Sequence, residues 1–287
     1  MEINIRPAAP GDAEECGRII YEAFKGVAER HNFRPDFPSA EVPTGLTRLF
    51  INDPSVFGVV AESGGRVVGS NFLSEWDAIR AVGPITIDPD AQARGTGRRL
   101  MEAVIERGRT AAGVRLVQDS YNFASLSLYA SLGFEVKEPL ALMEGSVEGD
   151  VPAGIEVRRM TDEDFGAVNE LCRRVHGFDR AGELKSLGPA LSPYVAVRGG
   201  RVTAYASAPN TWPLGHAVAE GEGEMRALLA GASRGSDAPL SFLLPTRQAA
   251  LFRWCLGQGL RVVKTMTLMT TGEYVEPRGS YLTSVLY

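Results

Sequence analysis

Basic charge, paired cysteines and long apolar runs are all scarce in this chain. The 35 acidic and 30 basic residues give a formal net charge of −5, which argues against a nucleic-acid partner because such partners bind basic surfaces. Three cysteines are scattered without a CxxC pair, so we expect neither a metal site nor a disulfide framework. No apolar run reaches membrane-spanning length and the N-terminus is polar. We therefore expect no membrane partner, no signal peptide and a cytoplasmic location.

Apolar residues are plentiful enough for two domains. The chain has 287 residues, of which 44% are hydrophobic. This length exceeds the usual size of one domain. In its first half, strand-like and helix-like patterns alternate, which predicts an α/β fold. The predicted elements are strands at 3–5, 84–87, 115–119 and 134–136, a hairpin over 56–72, and helices starting at 12, 98 and 124. The proline-rich aromatic segment from His31 to Pro43 is predicted to be a loop.

A glycine turn follows the predicted strand at 84–87. The run Gln92-Ala93-Arg94-Gly95-Thr96-Gly97 lies directly before an amphipathic segment that starts at Arg98. Two glycines so close together let backbone N–H groups approach a ligand, and the N-terminus of the following helix adds its positive dipole end. We therefore expect an anion site, most naturally for phosphate. A dinucleotide motif is excluded because Leu100 replaces its third glycine, and a P-loop is excluded because no lysine follows the glycines.

The second half repeats the first in weakened form. The matching segments are Ile155–Arg158 with Ile3–Arg6 at an offset of 152, Gly199–Val202 with Gly64–Val67 at 135, and Gly259-Leu260 with Gly133-Phe134 at 126. Their order predicts a tandem duplication, with domains at 1–145 and 155–287 and a linker at 146–154. In place of the glycine turn the second copy has Glu220-Gly221-Glu222-Gly223-Glu224, whose carboxylates would repel a phosphate. We therefore expect one working site, in the first copy.

A second motif lies downstream of the glycine turn. Asn122 is followed by Leu128-Tyr129 and then by Gly133-Phe134. Together with the turn, which matches Q/R-x-x-G-x-G/A, this motif resembles the GNAT superfamily of acyl-CoA-dependent N-acyltransferases. The resemblance covers about residues 1–145, and the duplication extends it to a tandem-GNAT architecture with a degenerate second copy. It implies two α/β domains, each a central mixed, mostly antiparallel sheet flanked by helices.

The resemblance also implies acetyl-CoA as co-substrate, with its pyrophosphate on the turn and its pantetheine arm beside the strand at 84–87. The residues implied in binding it are Ile85, Thr86, Ile87, Gln92, Ala93, Arg94, Gly95, Thr96, Gly97, Arg98 and Asn122. Tyr129 would be the general acid that protonates the departing thiolate. A phenol with a pKa of about 10 can do so because a free thiol titrates only about 1.5 units lower. A backbone N–H near Ile87 would stabilise the charge on the thioester oxygen.

No motif identifies the general base. Glu75 and Asp119 are the candidate bases near the expected sheet edge, with Asp77, His31 and the C-terminal carboxylate of Tyr287 as further options.

The acceptor is not identified by a motif either. We expect the loop residues His31, Phe33 and Phe37 to cover it. The resemblance implies transfer of acetyl to a primary amine of a small molecule or peptide, by direct attack in a ternary complex. The alternative is a non-catalytic acyl-CoA-binding or regulatory protein. The sequence leaves the identity of the amine open, and also the oligomeric state, a homodimer included.

Overall fold

A computed structural model describes residues 2–91, 95–188 and 191–286. Its strands are β1 (Asn4–Pro7), β2 (Val56–Ser63), β3 (Arg66–Ser74), β4 (Ile79–Val82), β5 (Thr86–Ile87), β6 (Gly113–Asp119), β7 (Glu135–Gly145), β8 (Ile155–Arg159), β9 (Tyr194–Arg198), β10 (Arg201–Ala206), β11 (Ala217–Ala219), β12 (Leu240–Pro245), β13 (Arg261–Gly272) and β14 (Ser280–Leu282). Its helices are α1 (Ala13–Arg30), α2 (Glu41–Asn52), α3 (Thr96–Gly108), α4 (Phe123–Ser131), α5 (Phe165–His176), α6 (Ala181–Leu187), α7 (Glu222–Arg234) and α8 (Ala249–Gly257). Over these ranges, no helix combines the length and apolarity needed to cross a bilayer.

The strands form two mostly antiparallel sheets. The larger has the order β1-β2-β3-β4-β6-β13-β7-β12, with β5 beside β3, and the smaller has the order β14-β11-β10-β9-β8. Within the described ranges, β4 with β6 is the one parallel pair. Helices α1 and α3 pack on β3, while α5 and α7 pack on β10. The predicted α/β class, with mixed, mostly antiparallel sheets flanked by helices, is confirmed.

The duplication is visible in both elements and contacts. Helices α7 and α8 each begin 126 residues after α3 and α4. Arg6 donates to both carboxylate oxygens of Asp12 at 2.7 and 2.9 Å. Arg158 donates to Asp164 in the same way, at 2.7 and 2.8 Å. Each aspartate also accepts a backbone N–H three residues earlier, at 2.8 Å, so both copies start their first helix with the same charged clamp.

The two copies exchange one long strand each. β7, from the first copy, pairs with β12 of the second, and β13, from the second copy, pairs with β6 of the first. β7 and β13 also pair with each other along most of their length. The predicted linker at 146–154 therefore does not divide the sheets, because β12 and β13 lie in the larger sheet with strands of the first copy.

One helix and one strand of the first copy were not predicted. The loop expected from His31 to Pro43 ends at Ala40, and α2 follows. Its apolar positions Val42, Leu46 and Leu49 have helical spacing, but Pro43 and Gly45 obscure the pattern. α2 lies very close to α1, since a Cβ on Gly17 would stand 2.5 Å from Thr44 Cα. Strand β4 was missed as well, and the strand predicted at 84–87 is regular only at Thr86–Ile87.

The parallel pair of β4 and β6 separates after three residues, and this opens the sheet. Ile79, Arg80 and Ala81 pair with Gly113, Val114 and Arg115. Beyond Val82 the chain moves to β5, which pairs with β3 and not with β6. Residues 83–87 and 116–119 therefore face each other across a gap at the carboxyl end of β6.

We expect Asp164→Asn to destabilise the fold in a pH-dependent way. The Arg158 guanidinium lowers the pKa of Asp164 from 3.8 to about 2, so this contact stabilises the protein above the unfolded-state pKa and is lost as pH falls through about 2. Urea unfolding at pH 7 should show that the variant's free energy of unfolding is lower than that of wild type by roughly 2 kcal/mol. This difference should shrink between about pH 4 and pH 2. Asp162→Asn, in the same turn but exposed, is the control. A pH-independent difference would contradict the charged clamp.

Candidate active site

A cavity of about 370 Å³ fills the gap between the separated strands. Residues 82–87 form one wall and residues 116–119 form the other. Helix α4 closes one side through Asn122, Ser125 and Tyr129, and α1 closes another through Phe24 and Val27. The cavity is thus built where the fold leaves a strand edge without a strand partner, within the described residues.

Tyr129 is the buried phenol of this cavity. It lies in the last turns of α4, is 6% exposed, and its ring stands edge-on to Phe134 with centroids 6.3 Å apart. Burial raises the pKa of its phenol, because desolvation disfavours the charged form. The phenol is therefore protonated at neutral pH and available as a proton donor.

Asn122 begins α4 and also faces the cavity. Its side chain accepts the Ser125 backbone N–H at 3.3 Å, as an N-cap does. Ser125 Oγ lies 2.7 Å from the Gln118 amide on β6. This contact fixes the start of α4 against β6, and so it fixes the position of Tyr129 two turns later.

The second half of the glycine turn leads directly into α3. Gly95 has φ of 73°, a left-handed conformation that favours glycine, and α3 begins at Thr96 rather than at Arg98. Gly97 lines the cavity, and a Cβ there would stand 3.1 Å from Ile87 Cδ1. Thr96 Oγ1 is buried and finds no hydrogen-bond partner among the described residues. These features fit an oxyanion of a bound co-substrate.

The other predicted co-substrate contacts divide into three groups. Ile85, Thr86 and Ile87 line the cavity. Arg98 lies on the exposed side, where it donates to Ser131 Oγ at 2.6 Å. Gln92, Ala93 and Arg94 lie outside the described residues.

Asp119 belongs to a cluster of three charges whose side chains are no more than 10% exposed. Lys264 Nζ, on β13, lies 2.7 Å from Asp119 Oδ1 and 2.6 Å from Asp36 Oδ1. Two carboxylates and one ammonium leave a net charge of −1. Burial raises the pKa of Asp36, although Lys264 opposes the shift. Asp119 faces the first cavity, so this candidate base lies in the same cavity as Tyr129.

Two other candidate bases, Glu75 and Asp77, lie outside the cavity. Glu75 forms ion pairs with Arg80 at 2.7 Å and Arg107 at 2.8 Å and does not line the cavity. Asp77 accepts the backbone N–H groups of Gly182 and Glu183 at 2.9 and 3.1 Å. Both carboxylates are therefore held by structural contacts, and Tyr287 lies outside the described residues.

The three loop residues predicted to cover the substrate lie in two different places. His31 and Phe33 pack on the ring of Tyr121, with centroids 4.9 and 4.5 Å apart, and line neither of the cavities described here. Phe37 packs edge-on against Phe24 at 5.5 Å and lines a second cavity. Asp36, in the same loop, was missed as a site residue. Its position between Pro35 and Phe37 in the predicted substrate loop was the only signal for it.

The second cavity, of about 240 Å³, adjoins the first. The two share walls formed by Phe24, 82–84, Val117 and Met266. The second copy contributes residues 211–214 and Val285-Leu286, so this cavity lies between the copies.

The matching place in the second copy has a different structure. Gly221, the counterpart of Gly95, has an extended φ of −157°. Glu220 is bound by Arg174 and Arg201, Glu222 by Arg226, and Glu224 by Arg198. Strand β14 pairs with β11, and Thr283 bridges to Leu243 of β12. The chain's own C-terminal strand therefore fills the gap that is open in the first copy.

The second copy also lacks the phenol at the position of Tyr129. Cys255 stands there, in the same place in α8, and is fully buried. Burial raises the pKa of its thiol to about 12, so the thiol is protonated and unreactive at neutral pH.

Residues 27–134 match the model of the acetyltransferase (GNAT) family. The first half of the chain therefore contains a GNAT acetyltransferase domain, and this range includes the glycine turn, Asn122 and Tyr129. A comparison with curated protein sequences found no match.

Solved structures with the same fold cover nearly the whole chain. A Pyrococcus horikoshii protein described as an acetyltransferase is similar with a TM-score of 0.76 at 16% identity, over 99% of this chain and 94% of its own. A GCN5-related N-acetyltransferase from Sphaerobacter thermophilus has a TM-score of 0.63 at 15% identity, over 97% and 98%. A tandem GNAT protein from the clavulanic acid biosynthesis pathway has a TM-score of 0.59 at 16% identity, over 97% and 99%. Such likeness establishes the fold, which this chain shares over nearly its whole length with a tandem GNAT protein.

Proposed function

We propose that this protein transfers an acetyl group from acetyl-CoA to a primary amine of a small molecule or peptide, by direct attack in a ternary complex. The observation that carries the proposal is one cavity lined by Gly97, Asn122 and Tyr129. The first turn of α3, the N-cap of α4 and a buried protonated phenol meet there. An anion site can hold the CoA ester, and a proton donor can protonate the thiolate that leaves when an amine attacks the thioester.

The co-substrate would lie along the open strand edge. Its pyrophosphate would accept from backbone N–H groups at the start of α3, where the helix dipole favours negative charge. Its pantetheine arm would pair with the free backbone edge at Ile85–Ile87, and Asn122 would contact the same arm. A backbone N–H near Ile87 would stabilise the carbonyl oxygen as charge develops on it.

The reaction needs three proton transfers. The acceptor enters as an ammonium, and Asp119 takes one proton from it. The neutral nitrogen then forms the C–N bond, the C–S bond breaks, and the thiolate takes the proton of Tyr129. The new amide nitrogen loses its surplus proton to the tyrosinate. The balance is ammonium and acetyl-CoA in, and amide, free thiol and one proton out.

Tyr129→Phe should lower kcat by about 10²-fold, as expected for the loss of a general acid, while the Kd for acetyl-CoA stays within about twofold. Thiol release during an amine screen measures kcat, and calorimetry measures the Kd for acetyl-CoA. Tyr21→Phe, which removes a phenol outside the cavity, is the matched control. Unchanged turnover in Tyr129→Phe would eliminate the acid role. Wild-type protein that binds acetyl-CoA but acetylates no amine in a broad panel would support the non-catalytic alternative.

Asp119→Asn should also lower kcat by about 10²-fold at pH 7. Without the base, the rate should depend on the neutral fraction of the amine, which rises about tenfold per pH unit below an amine pKa of about 10. The variant's rate should therefore approach that of wild type as the pH rises toward 10. Asp237→Asn, on the exposed surface, is the control. A loss that does not change with pH would assign Asp119 a structural role beside Lys264.

We also propose that the chain binds one acetyl-CoA. In the second copy β14 fills the corresponding gap, and the acidic turn is held by arginines. Calorimetry should give one site per chain. The triple variant E220Q/E222Q/E224Q should still give one, because the strand remains after the charge is removed. A second site in either protein would contradict the proposal.

A further inference from the structure

We propose that the acceptor is a primary amine carrying a single aromatic ring, and that the ring binds in the second cavity. This inference rests on the proposed acetyl transfer and specifies its substrate class. It depends on the polarity, size and connection of that cavity, and on the charge at its edge.

The wall of the second cavity is almost entirely apolar. Phe24, Phe37, Leu46 and Trp212 supply ring and aliphatic surface, and Asp36 is the only charged residue of the wall within the described part of the chain. Burying an unpaired hydroxyl or amide in such a wall costs roughly 1–3 kcal/mol. A polyamine or aminoglycoside would leave several such groups unpaired, so its polar body does not fit this cavity.

The volume of the cavity fits one ring. Benzene occupies an apolar cavity of about 150 Å³ in another protein. At about 240 Å³, the second cavity has room for a phenyl group and a short linker. A group of two fused rings or a peptide chain would need more space.

The connection to the first cavity sets where the amine would lie. Because the two cavities share Phe24, residues 82–84, Val117 and Met266, a ring in the second cavity directs its linker toward the first. The Asp36–Lys264–Asp119 cluster lies along this route with a net charge of −1. An ammonium at the end of the linker would meet that charge first at Asp36 and then at Asp119.

This arrangement gives the second copy a role in specificity. It provides Trp212, Pro213 and Leu214 of the ring pocket, and Val285 and Leu286 from the segment after β14. The first copy would therefore lack one side of its ring pocket if it were isolated. The same C-terminal segment that fills the second copy's gap reaches the acceptor pocket of the first.

The test compares acceptors in the full-length protein. With acetyl-CoA, kcat/KM for 2-phenylethylamine should exceed that for ethanolamine and for spermidine by at least about tenfold, as burial of an apolar group predicts. Val42→Trp places bulk in the pocket from an exposed position of α2. It should raise KM for 2-phenylethylamine about tenfold and leave ethanolamine within about twofold. Leu49→Trp, equally exposed on α2 but outside the pocket, should change neither.

Calorimetry with 2-phenylethylamine, in the presence of CoA, separates the two proposals. Acetylation that favours ethanolamine or spermidine, or a Val42→Trp loss equal for all amines, would overturn the inference while acetyl transfer stands. Binding of 2-phenylethylamine that Val42→Trp abolishes, without acetylation of any amine, would support the pocket and refute acetyl transfer. If the protein neither binds 2-phenylethylamine nor acetylates any amine, both proposals are overturned.

Discussion

The antiparallel pairing of β13 with β6 is the contact on which the candidate site depends. It joins a strand of the second copy to a strand of the first, with Met266 beside Asp119. The same strand carries Lys264, which stands between Asp119 and Asp36. Without β13, β6 would have an exposed edge and two buried carboxylates would lack their cation, each of which is costly. One exchanged strand thus completes the sheet and balances the charge of the site.

The second copy differs from the first at the glycine turn and at the gap between strands. Its turn is extended at Gly221, its acidic residues are paired with arginines, and its gap holds β14. Its strands β12 and β13 nevertheless lie in the larger sheet, and its loops form part of the second cavity. The second copy therefore completes the larger sheet and forms part of the wall of the second cavity.

Local features of the site could be predicted because short segments determine them. The hairpin of β2 and β3 turns at Gly64-Gly65, both with positive φ, and the Gly95 turn and the Asn122 cap depend on neighbouring residues only. Tyr129 could be located because it lies two turns after that cap. The helix α2 could not, since Pro43 and Gly45 weaken its local signal and packing on α1 stabilises it. The positions of Glu75 and Asp77 outside the cavity could not be predicted, because their partners Arg107 and Gly182 lie 32 and 105 residues away in the chain.

The sequence by itself determined the glycine turn, the capped helix with its phenol, and the order of the two copies, since each depends on residues close together in the chain. Only the tertiary structure decided the rest. Three features are long-range pairings: the exchange of strands between the copies, the strand β14 in the gap of the second copy, and the contact of Asp36 with Lys264, 228 residues apart. Such contacts leave no periodic pattern in the sequence, because their energy comes from burial and charge that exist only after the chain has folded.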